Sequence, residues 1–230
     1  MKIAIMQPYL FPYIGYWQLI SAVDKFIIFD DVNYINKGYI NRNNILVNNK
    51  SYQFTLDLIG ASQNKLINEI LIGKNSDKIL KTIELNYKKS PYFKDAFPLI
   101  EDIFNQKEKN LAKFIGYSLK KISKYLKINI TFVYSSDIEK NNYFKNQDKI
   151  IDICEKLSAT EYINLIGGRE LYKSKGFISK NIQLRFIDTK PIKYRQFNDD
   201  FVKFLSIIDV MMFNSANELK KIVNCFKLIN

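Results

Sequence analysis

The chain has 230 residues, 47% of them hydrophobic, and a net charge of +12, a composition typical of a folded globular protein rather than a disordered or coiled-coil one. It has no histidine, which excludes Ser-His-Asp and Cys-His catalysis and every histidine-ligated metal site. Its two cysteines are too few for a disulfide framework or a thiolate zinc site, so we expect a reduced, cytoplasmic protein and assign no metal ligands.

The N-terminal part is predicted to form a βαβ unit. Residues 2–8 alternate and are rich in β-branched side chains, which predicts a strand that ends at Pro8. A loop then leads into a short helix over 16–23 and a buried strand over 26–29. A strand, a helix and a strand within about 30 residues favour a parallel sheet.

The rest of the chain is predicted to alternate between strands and helices. Strand candidates lie at 51–59, 67–73, 129–134, 161–166 and 182–187. Helices are predicted at 76–87, 92–105, 110–127, 146–157, 201–213 and 216–228, with Ser76 and Asn146 as candidate caps. In the helix over 110–127, lysines such as Lys113 and Lys120 lie away from the apolar stripe, as is typical of a solvated face.

We therefore expect one α/β domain over residues 1–230. It would contain a mostly parallel Rossmann-like sheet, a helical insertion near 75–127 and C-terminal helices. No apolar run is long enough to span a bilayer, and the N-terminus leads into the first strand without a cleavable signal pattern.

The positive charge favours an acidic small ligand over a nucleic acid. Only four of the 35 basic residues are arginines, and the charge is spread along the chain, whereas nucleic-acid surfaces are concentrated and usually rich in arginine. A nucleotide-linked sugar would suit this charge. The sequence does not define an oligomeric state.

The first candidate site lies where the first predicted strand ends, which is where ligands bind in open parallel sheets. Gln7 would offer a neutral donor and acceptor there, and Gly15 would let the start of a helix approach an anionic ligand closely. The alternative is a tightly packed aromatic turn. The other binding candidates in this loop, which could contact a base or a sugar ring, are Tyr9, Pro12, Tyr13 and Tyr16.

Asp30 and Asp31 follow the second predicted strand. Consecutive strand residues point to opposite faces, so only one of the two can share the face of Gln7. The pair could accept a proton, bind a ribose hydroxyl or position a metal ion, and the alternative is a solvated turn.

Arg42 is the only arginine in the first 168 residues, and Asn41 and Asn43 flank it as further binding candidates. Its planar guanidinium group suits a carboxylate or a phosphate held by two parallel hydrogen bonds. The alternative is a structural ion pair with Asp30 or Asp31.

Two weaker signals lie in the C-terminal half. Gly167 and Gly168 follow a predicted strand and could bind a phosphate through backbone N–H groups, although they form no Walker loop or dinucleotide fingerprint. Ser206 and Asp209 are three residues apart on one helical face. They could support a binding site from behind, or Ser206 could simply cap the helix.

Several short motifs occur in a fixed order along the chain. They are Met6-Gln7-Pro8, Pro12-Tyr13-Ile14-Gly15-Tyr16, Asp30-Asp31-Val32, Asn41-Arg42-Asn43, Tyr87, Ser90-Pro91-Tyr92-Phe93, Ser135-Ser136, Gly167-Gly168 and Leu205-Ser206-Ile207-Ile208-Asp209. This ordered set spans nearly the whole chain and resembles the WbqC-like family of bacterial proteins. Relatives often carry histidine before Gln-Pro, where this chain has Met6, so a histidine base is not available here.

The resemblance implies a cytoplasmic enzyme of O-antigen or other surface-polysaccharide biosynthesis. Such proteins are associated with gene clusters in which an amino sugar carries an aminoacyl group, and a glycine-transferring role has been suggested for them. It therefore implies a transferase that moves an acyl or aminoacyl group, such as glycyl, to the amine of a nucleotide-activated amino sugar. The acyl donor would be linked to a protein or a nucleotide, and ATP and a nucleotide-linked sugar are the candidate cofactor or ligand.

Residues 2–32 also resemble nucleotidylyl-transferase-like folds, which include pantothenate synthetases. These enzymes activate a carboxylate with ATP and form an amide, but their histidine-containing phosphate motif is absent here. The alternatives are therefore an ATP-dependent amide-forming enzyme and a non-catalytic module that binds a nucleotide sugar.

Acyl transfer needs a base for the amine and donors for a developing oxyanion. Asp30 or Asp31 is the candidate base, and Arg42 would hold an anionic donor. Gln7 and the backbone N–H groups at Gly15, Gly167 and Gly168 would stabilise negative charge. We expect the glutamine, the two aspartates and the arginine to surround one hollow.

Overall fold

The computed structural model describes all 230 residues and contains ten strands and eight α-helices. The strands are β1 (Lys2–Met6), β2 (Lys25–Ile28), β3 (Arg42–Val47), β4 (Lys50–Thr55), β5 (Leu58–Ile59), β6 (Leu71–Ile72), β7 (Thr131–Tyr134), β8 (Glu161–Leu165), β9 (Gln183–Thr189) and β10 (Phe226–Ile229). The helices are α1 (Ile14–Ser21), α2 (Ser76–Tyr87), α3 (Phe93–Asn105), α4 (Leu111–Tyr125), α5 (Asn146–Lys156), α6 (Ser174–Ile178), α7 (Ile207–Phe213) and α8 (Ala216–Val223).

The central sheet has six strands in the order β10-β9-β8-β1-β2-β7. All neighbours are parallel except β10, which runs antiparallel to β9. The chain starts at β1, moves to one edge through β2 and β7, and returns to β8 and β9 on the other side of β1. This is the strand order of a Rossmann fold, so the predicted fold class is confirmed. The order reverses between β1 and β8, and ligands of such sheets bind beyond the carboxyl ends of the strands at such a point.

Alternating side chains of the strands divide the hydrophobic core into two parts. Ala4 and Phe26 belong to a larger core, which also contains residues of α1, α2, α3, α4, α7 and α8. Ile5 and Ile27 belong to a smaller core on the other side, together with residues of α5 and α6. Cys154 is fully buried in this smaller core.

The segment between β2 and β7 contains the β3–β4 hairpin and the three helices α2, α3 and α4. These helices lie within the predicted insertion near 75–127. The apolar stripe of α4 is buried as its periodicity predicts. Its buried members are Leu111, Phe114, Ile115, Leu119 and Ile122.

The C-terminal region differs from the prediction in two places. The helix expected over 201–213 begins only at Ile207, since Ser206 caps it and residues 190–204 are irregular. In place of one helix over 216–228, α8 ends at Val223 and β10 joins the sheet. Apolar runs this short do not distinguish a helix from a strand by periodicity.

Strand β3 was not predicted, because its first residues Arg42-Asn43-Asn44 have little β propensity. Residues 67–73 are not one strand but a 3-10 turn over Ile67–Glu69 followed by the short β6. Asn75 and Lys145, rather than the expected Ser76 and Asn146, occupy the N-cap positions of α2 and α5. None of the helices has both the length and the hydrophobicity of a bilayer-spanning segment.

Candidate functional site

Three neighbouring strands end at one edge of the sheet and bring several of the sequence motifs together. The register pairs Met6 with Ile28, and Ile28 with Tyr134. The residues that follow each strand are therefore neighbours as well. They are Gln7 and Pro8 after β1, Asp30 and Asp31 after β2, and Ser135 and Ser136 after β7.

Asp30 is almost fully buried, with 3% of its surface exposed, and hydrogen bonds hold its carboxylate in place. Oδ1 accepts from the Ser136 backbone N–H at 3.0 Å, and Oδ2 accepts from the Ser136 hydroxyl at 2.7 Å and from Asn68 Nδ2 at 3.3 Å. The Ser135 hydroxyl lies 3.1 Å from Oδ1 and also contacts Oδ1 of Asp31. Because a hydroxyl has one proton, the two aspartates share this donor.

Asp30 lines a cavity of about 630 Å³, which we call the Asp30 cavity. Polar and charged side chains form nearly all of its wall. The other lining residues are Asn68, Gln106, Glu108, Asn110, Lys113, Tyr117, Lys120, Tyr134, Ser136 and Asp137. Amides, carboxylates and a few tyrosines are the side chains that bind polyhydroxylated molecules by hydrogen bonds, with rings for their apolar faces.

A chain of hydrogen bonds connects Asp30 to the start of α4. Asn68 donates to Asp30, and Asn110 Nδ2 donates to the Asn68 carbonyl oxygen at 2.6 Å. Asn110 Oδ1 accepts from the Lys113 backbone N–H at 3.1 Å and so caps α4. The position of α4 is therefore coupled to the position of the Asp30 carboxylate.

One face of α4 forms a wall of the Asp30 cavity. Lys113, Tyr117 and Lys120 are spaced by four and three residues and thus lie on the same helical face. The Lys120 ammonium lies 5.6 Å from the centre of the Tyr134 ring. The sequence pattern had indicated only a solvated lysine face; Lys113 and Lys120 are exposed, but they line a cavity.

Tyr134 packs closely against α4 at Gly116. A Cβ atom at position 116 would overlap the Tyr134 hydroxyl oxygen, so this approach requires glycine. Burial, and then the negative charges of Asp30, Asp137 and Glu108, raise the pKa of Tyr134 to about 12. The phenol therefore stays protonated near neutral pH and can donate a hydrogen bond into the cavity.

Two carboxylates of the Asp30 cavity are less constrained than Asp30 itself. Glu108 uses only Oε1, which accepts from the backbone N–H groups of Lys109 and Asn110 at 2.8 Å each. Asp137 is exposed at the cavity wall. No group of three or more Cys, Asp or Glu side chains is placed to hold a metal ion.

Asp31 faces a different environment from Asp30. Oδ2 lies 2.8 Å from the ammonium of Lys140 and 3.1 Å from that of Lys149. Burial acts to raise the pKa of Asp31, but hydrogen bonds from Lys140 and Ser135 and the charge of Lys149 outweigh it, so the pKa lies below its usual value. A carboxylate with a lowered pKa is a weak general base.

Asp31 lines a second cavity of about 930 Å³, which we call the Asp31 cavity. It lies between the loop after β2, the loop after β8 and the start of α5. The other lining residues are Phe29, Val32, Asn33, Leu66, Asn142, Phe144, Lys145, Asn146, Gln147, Lys149, Ile150, Glu170, Leu171 and Tyr172. It shares no residue with the Asp30 cavity, and neither cavity includes Gln7 or Arg42. The expected single hollow is therefore not formed.

The aromatic turn after β1 is divided between core and surface. Tyr16 is fully buried and donates to the Gln7 carbonyl oxygen at 2.8 Å, so it cannot stack on a ligand. Tyr9, Pro12 and Tyr13 line a smaller hollow of about 320 Å³. Gly15 packs under the Tyr13 ring, which leaves no room for a Cβ atom, and lines an adjoining hollow of about 330 Å³.

The Asn41–Asn43 segment is mainly structural. Asn41 accepts from the Tyr34 hydroxyl and donates to the Leu56 carbonyl oxygen. Asn43 donates to the carbonyl oxygens of Leu10 and Phe11 and so holds the turn after β1.

Arg42 does not form the ion pair with Asp30 or Asp31 that was one alternative. Its Nε donates to the Gly38 carbonyl oxygen at 2.9 Å, and its Nη1 lies 3.5 Å from Gln53 Oε1. Arg42 is only half-buried, so its remaining N–H groups are available, but not at either aspartate.

Ser206 and Asp209 connect separate parts of the larger core. Ser206 caps α7, and its hydroxyl donates to the Phe11 carbonyl oxygen at 2.8 Å. Asp209 is fully buried and accepts from Tyr87, Tyr194 and Gln196 at 2.8, 2.6 and 2.8 Å. Burial raises the pKa of Asp209 although these three hydrogen bonds oppose it. Both residues therefore hold the fold and contact neither aspartate cavity.

Gly167 and Gly168 belong to a 3-10 helix over Ile166–Leu171 that follows β8. Gly167 is exposed, and nothing lies near the position of an added Cβ atom. Gly168 packs against the Asn164 side chain. The end of this turn, at Glu170 and Leu171, reaches the Asp31 cavity, but the glycines do not line it.

The chain is similar to known proteins over nearly its whole length. The model of the WbqC-like protein family matches residues 7–221. A protein of Mycobacterium tuberculosis (strain ATCC 25618 / H37Rv), named as the uncharacterized protein Rv1507c, is 27% identical over 222 residues, which cover 94% of this chain and 95% of the relative. No solved structure matches the chain.

Proposed function

Because the chain belongs to the WbqC-like protein family, as its motifs predicted, we propose that it transfers an acyl or aminoacyl group to the amine of a nucleotide-activated amino sugar. The Asp30 cavity would hold the amino sugar. Surface-polysaccharide biosynthesis, including that of O-antigen, is the proposed setting.

The observation that supports the proposal most is the composition of the Asp30 cavity. Its volume of about 630 Å³ is adequate for a sugar with a phosphate group. Asn68, Gln106 and Asn110 supply amide groups for sugar hydroxyls, and Lys113 and Lys120 supply positive charge for a phosphate. The carboxylates of Glu108 and Asp137 supply negative charge for an amine.

The hydrogen bonds around the aspartates alter the roles expected from the sequence. The Asp30 carboxylate has about four lone-pair positions, and hydrogen-bond donors occupy all of them. Three of these donors bind Asp30 alone, and the Ser135 hydroxyl is shared with Asp31. Asp30 would therefore position the site rather than accept a proton. Asp31 is a weak base because two lysines lower its pKa. We therefore assign the base to Asp137 or Glu108.

The proposed reaction uses the cavity residues in named roles. The amine nitrogen attacks the acyl carbonyl carbon and forms the C–N bond, while Asp137 or Glu108 accepts the proton that nitrogen loses. The protonated Tyr134 donates a hydrogen bond to the oxyanion that develops. The oxyanion then collapses, and the bond to the donor's leaving group breaks.

Amide formation tests the proposal. The purified chain would be incubated with a nucleotide-linked amino sugar and an activated glycyl donor, and the amide would be detected by mass spectrometry. We expect Asp137→Asn or Glu108→Gln to reduce the rate at least about a hundredfold, in line with the usual contribution of a general base. Asp199→Asn, an exposed aspartate in the 190–204 segment, is the matched control. Equal rates in both cavity variants and the control would contradict the assignment of the base.

A further inference from the structure

We propose that the Asp31 cavity is a second ligand site and that its ligand is a nucleoside phosphate. The cavity lies beyond the carboxyl ends of β2 and β8, the two neighbours of β1 in the sheet. The strand order reverses between β1 and β8, and this is the position at which doubly wound sheets bind their ligands. Its volume of about 930 Å³ is large enough for a nucleotide.

The charge at one side of this cavity suits a phosphate. Lys140 and Lys149 both contact Asp31, so two positive charges face one carboxylate there. Glu170 is the other acidic lining residue, and Lys145 is a further basic one. Lys140 uses its three donors on Asp31 and on the carbonyl oxygens of Ser135 and Ile138. Lys149 uses two donors, both on Asp31, and retains a third.

Lys149 lines the cavity, although only 12% of its side chain is exposed. Lys145 lines the same cavity, is exposed and forms no ion pair. A phosphate there would accept a charged hydrogen bond from Lys149. Asp31 holds the Lys149 ammonium on one side, and the centre of the Phe29 ring lies 5.3 Å from it.

The apolar and aromatic lining residues of the cavity suit a nucleobase. Phe144 and Leu171 are 43% and 71% exposed, although both are large apolar side chains. Tyr172 also lines the cavity and packs against the smaller core. A planar base would cover this apolar surface and stack on an aromatic ring. A cationic wall beside an apolar, aromatic wall distinguishes a nucleotide from a simple anion.

The role of this nucleoside phosphate rests on the proposed function, which involves two possible nucleotides. It is either the activating nucleotide of the acyl donor or the nucleotide carried by the sugar. Binding itself is independent of the reaction, because it is measured without an acceptor or a donor. A failure of amide formation therefore does not affect this inference, and a failure of nucleotide binding does not affect the Asp30 cavity.

Isothermal titration of the full chain with ADP, with UDP and with inorganic pyrophosphate tests the inference. We expect Lys149→Gln and Lys145→Gln to weaken binding of the preferred nucleotide and of pyrophosphate, by about tenfold for Lys149. Phe144→Ala is expected to weaken the nucleotide about fivefold and to leave pyrophosphate unchanged. The control for the lysines is Lys156→Gln, an exposed lysine on α5, the helix that also carries Lys149. The control for Phe144 is Tyr143→Ala, because Tyr143 is 92% exposed, next to Phe144 and outside the cavity.

The arms of the titration separate the alternatives. A preference for ADP indicates the activating nucleotide, and a preference for UDP indicates the sugar nucleotide. Equal effects of Phe144→Ala and Tyr143→Ala, or pyrophosphate binding as tight as either nucleotide, would overturn the inference in favour of a simple anion site. Absence of binding at millimolar nucleotide, or weaker binding in Lys113→Gln of the Asp30 cavity together with unchanged binding in Lys149→Gln, would overturn it as well. Phe144→Ala and Lys145→Gln keep the test valid should Lys149→Gln fail to fold.

Discussion

Asp30 and Asp31 share the hydroxyl of Ser135, yet their side chains line different cavities. Consecutive side chains after β2 point in opposite directions. The Asp30 carboxylate therefore accepts from serine and asparagine donors, whereas the Asp31 carboxylate lies between two lysines. This arrangement gives two cavities at one edge of the sheet. Asp30 belongs to the polar wall of one cavity, and Asp31 holds the two lysines beside the other.

Replacement of Asp30 is expected to destabilise the fold. Asp30→Asn puts an amide N–H₂ at a buried position where Oδ1 or Oδ2 now accepts hydrogen bonds, so donors of Ser136 or Asn68 lose their acceptor. We expect the free energy of unfolding to fall by about 2 kcal/mol in urea denaturation. Asp199→Asn is the exposed control, and equal stability of the two variants would show that the network contributes nothing.

Gly116 should be required for the position of Tyr134. Gly116→Ala introduces a Cβ atom that overlaps the Tyr134 hydroxyl, and overpacking of this kind costs about 1–3 kcal/mol. The double variant with Tyr134→Phe removes the overlapping oxygen and should recover part of the loss. Thermal unfolding of both variants measures the effect, and a double variant no more stable than the single one would contradict this packing.

Asp31 should contribute to the acid sensitivity of the protein. Its folded-state pKa is lowered, so its contribution to stability is present above its unfolded pKa of about 4 and is lost as the pH falls through the lower folded value. Asp31→Asn is expected to lower stability at pH 7 and to flatten the decline below about pH 4. Urea denaturation at a series of pH values measures both; an unchanged slope in the acid range would contradict the lysine pairing.

Tyr87 links β3 to α7 through two buried hydrogen bonds. Its hydroxyl accepts from the Leu46 backbone N–H and donates to Asp209 Oδ1, both at 2.8 Å. Tyr87→Phe leaves the N–H and the carboxylate each short of a partner, so we expect a loss of about 2–3 kcal/mol in denaturant unfolding. Tyr125→Phe, on a partly exposed tyrosine of α4, is the control and should lose less than Tyr87→Phe does.

The parallel sheet could be predicted from the sequence because local signals agreed with the fold. The strand–helix–strand unit at the N-terminus and the apolar stripe of α4 both have a clear periodicity. In contrast, β3 begins with polar residues, and β10 is a four-residue strand whose pattern resembles a continuing helix. Such strands depend on pairing with distant partners, which local propensity does not report.

The candidate site was only partly predictable. The aspartates and the Ser135-Ser136 pair were recognisable as strand-end motifs, but their hydrogen bonds join residues about a hundred positions apart. Lys113, Tyr117 and Lys120 carried a signal in their helical spacing, which also fits an ordinary solvated face. Asn68 and Asn110 had no distinguishing signal, because an isolated asparagine in a turn is common. The approach of α4 to the sheet edge made them neighbours.

Binding of a nucleotide-linked amino sugar to charge variants of α4 tests the central claim most directly. Isothermal titration would compare the wild-type chain with Lys113→Gln, Lys120→Gln and the exposed control Lys124→Gln of the same helix. If the Asp30 cavity is the acceptor site, the first two substitutions weaken binding about tenfold and the third leaves it unchanged. Equal affinities for all three variants and the wild-type chain would contradict the claim.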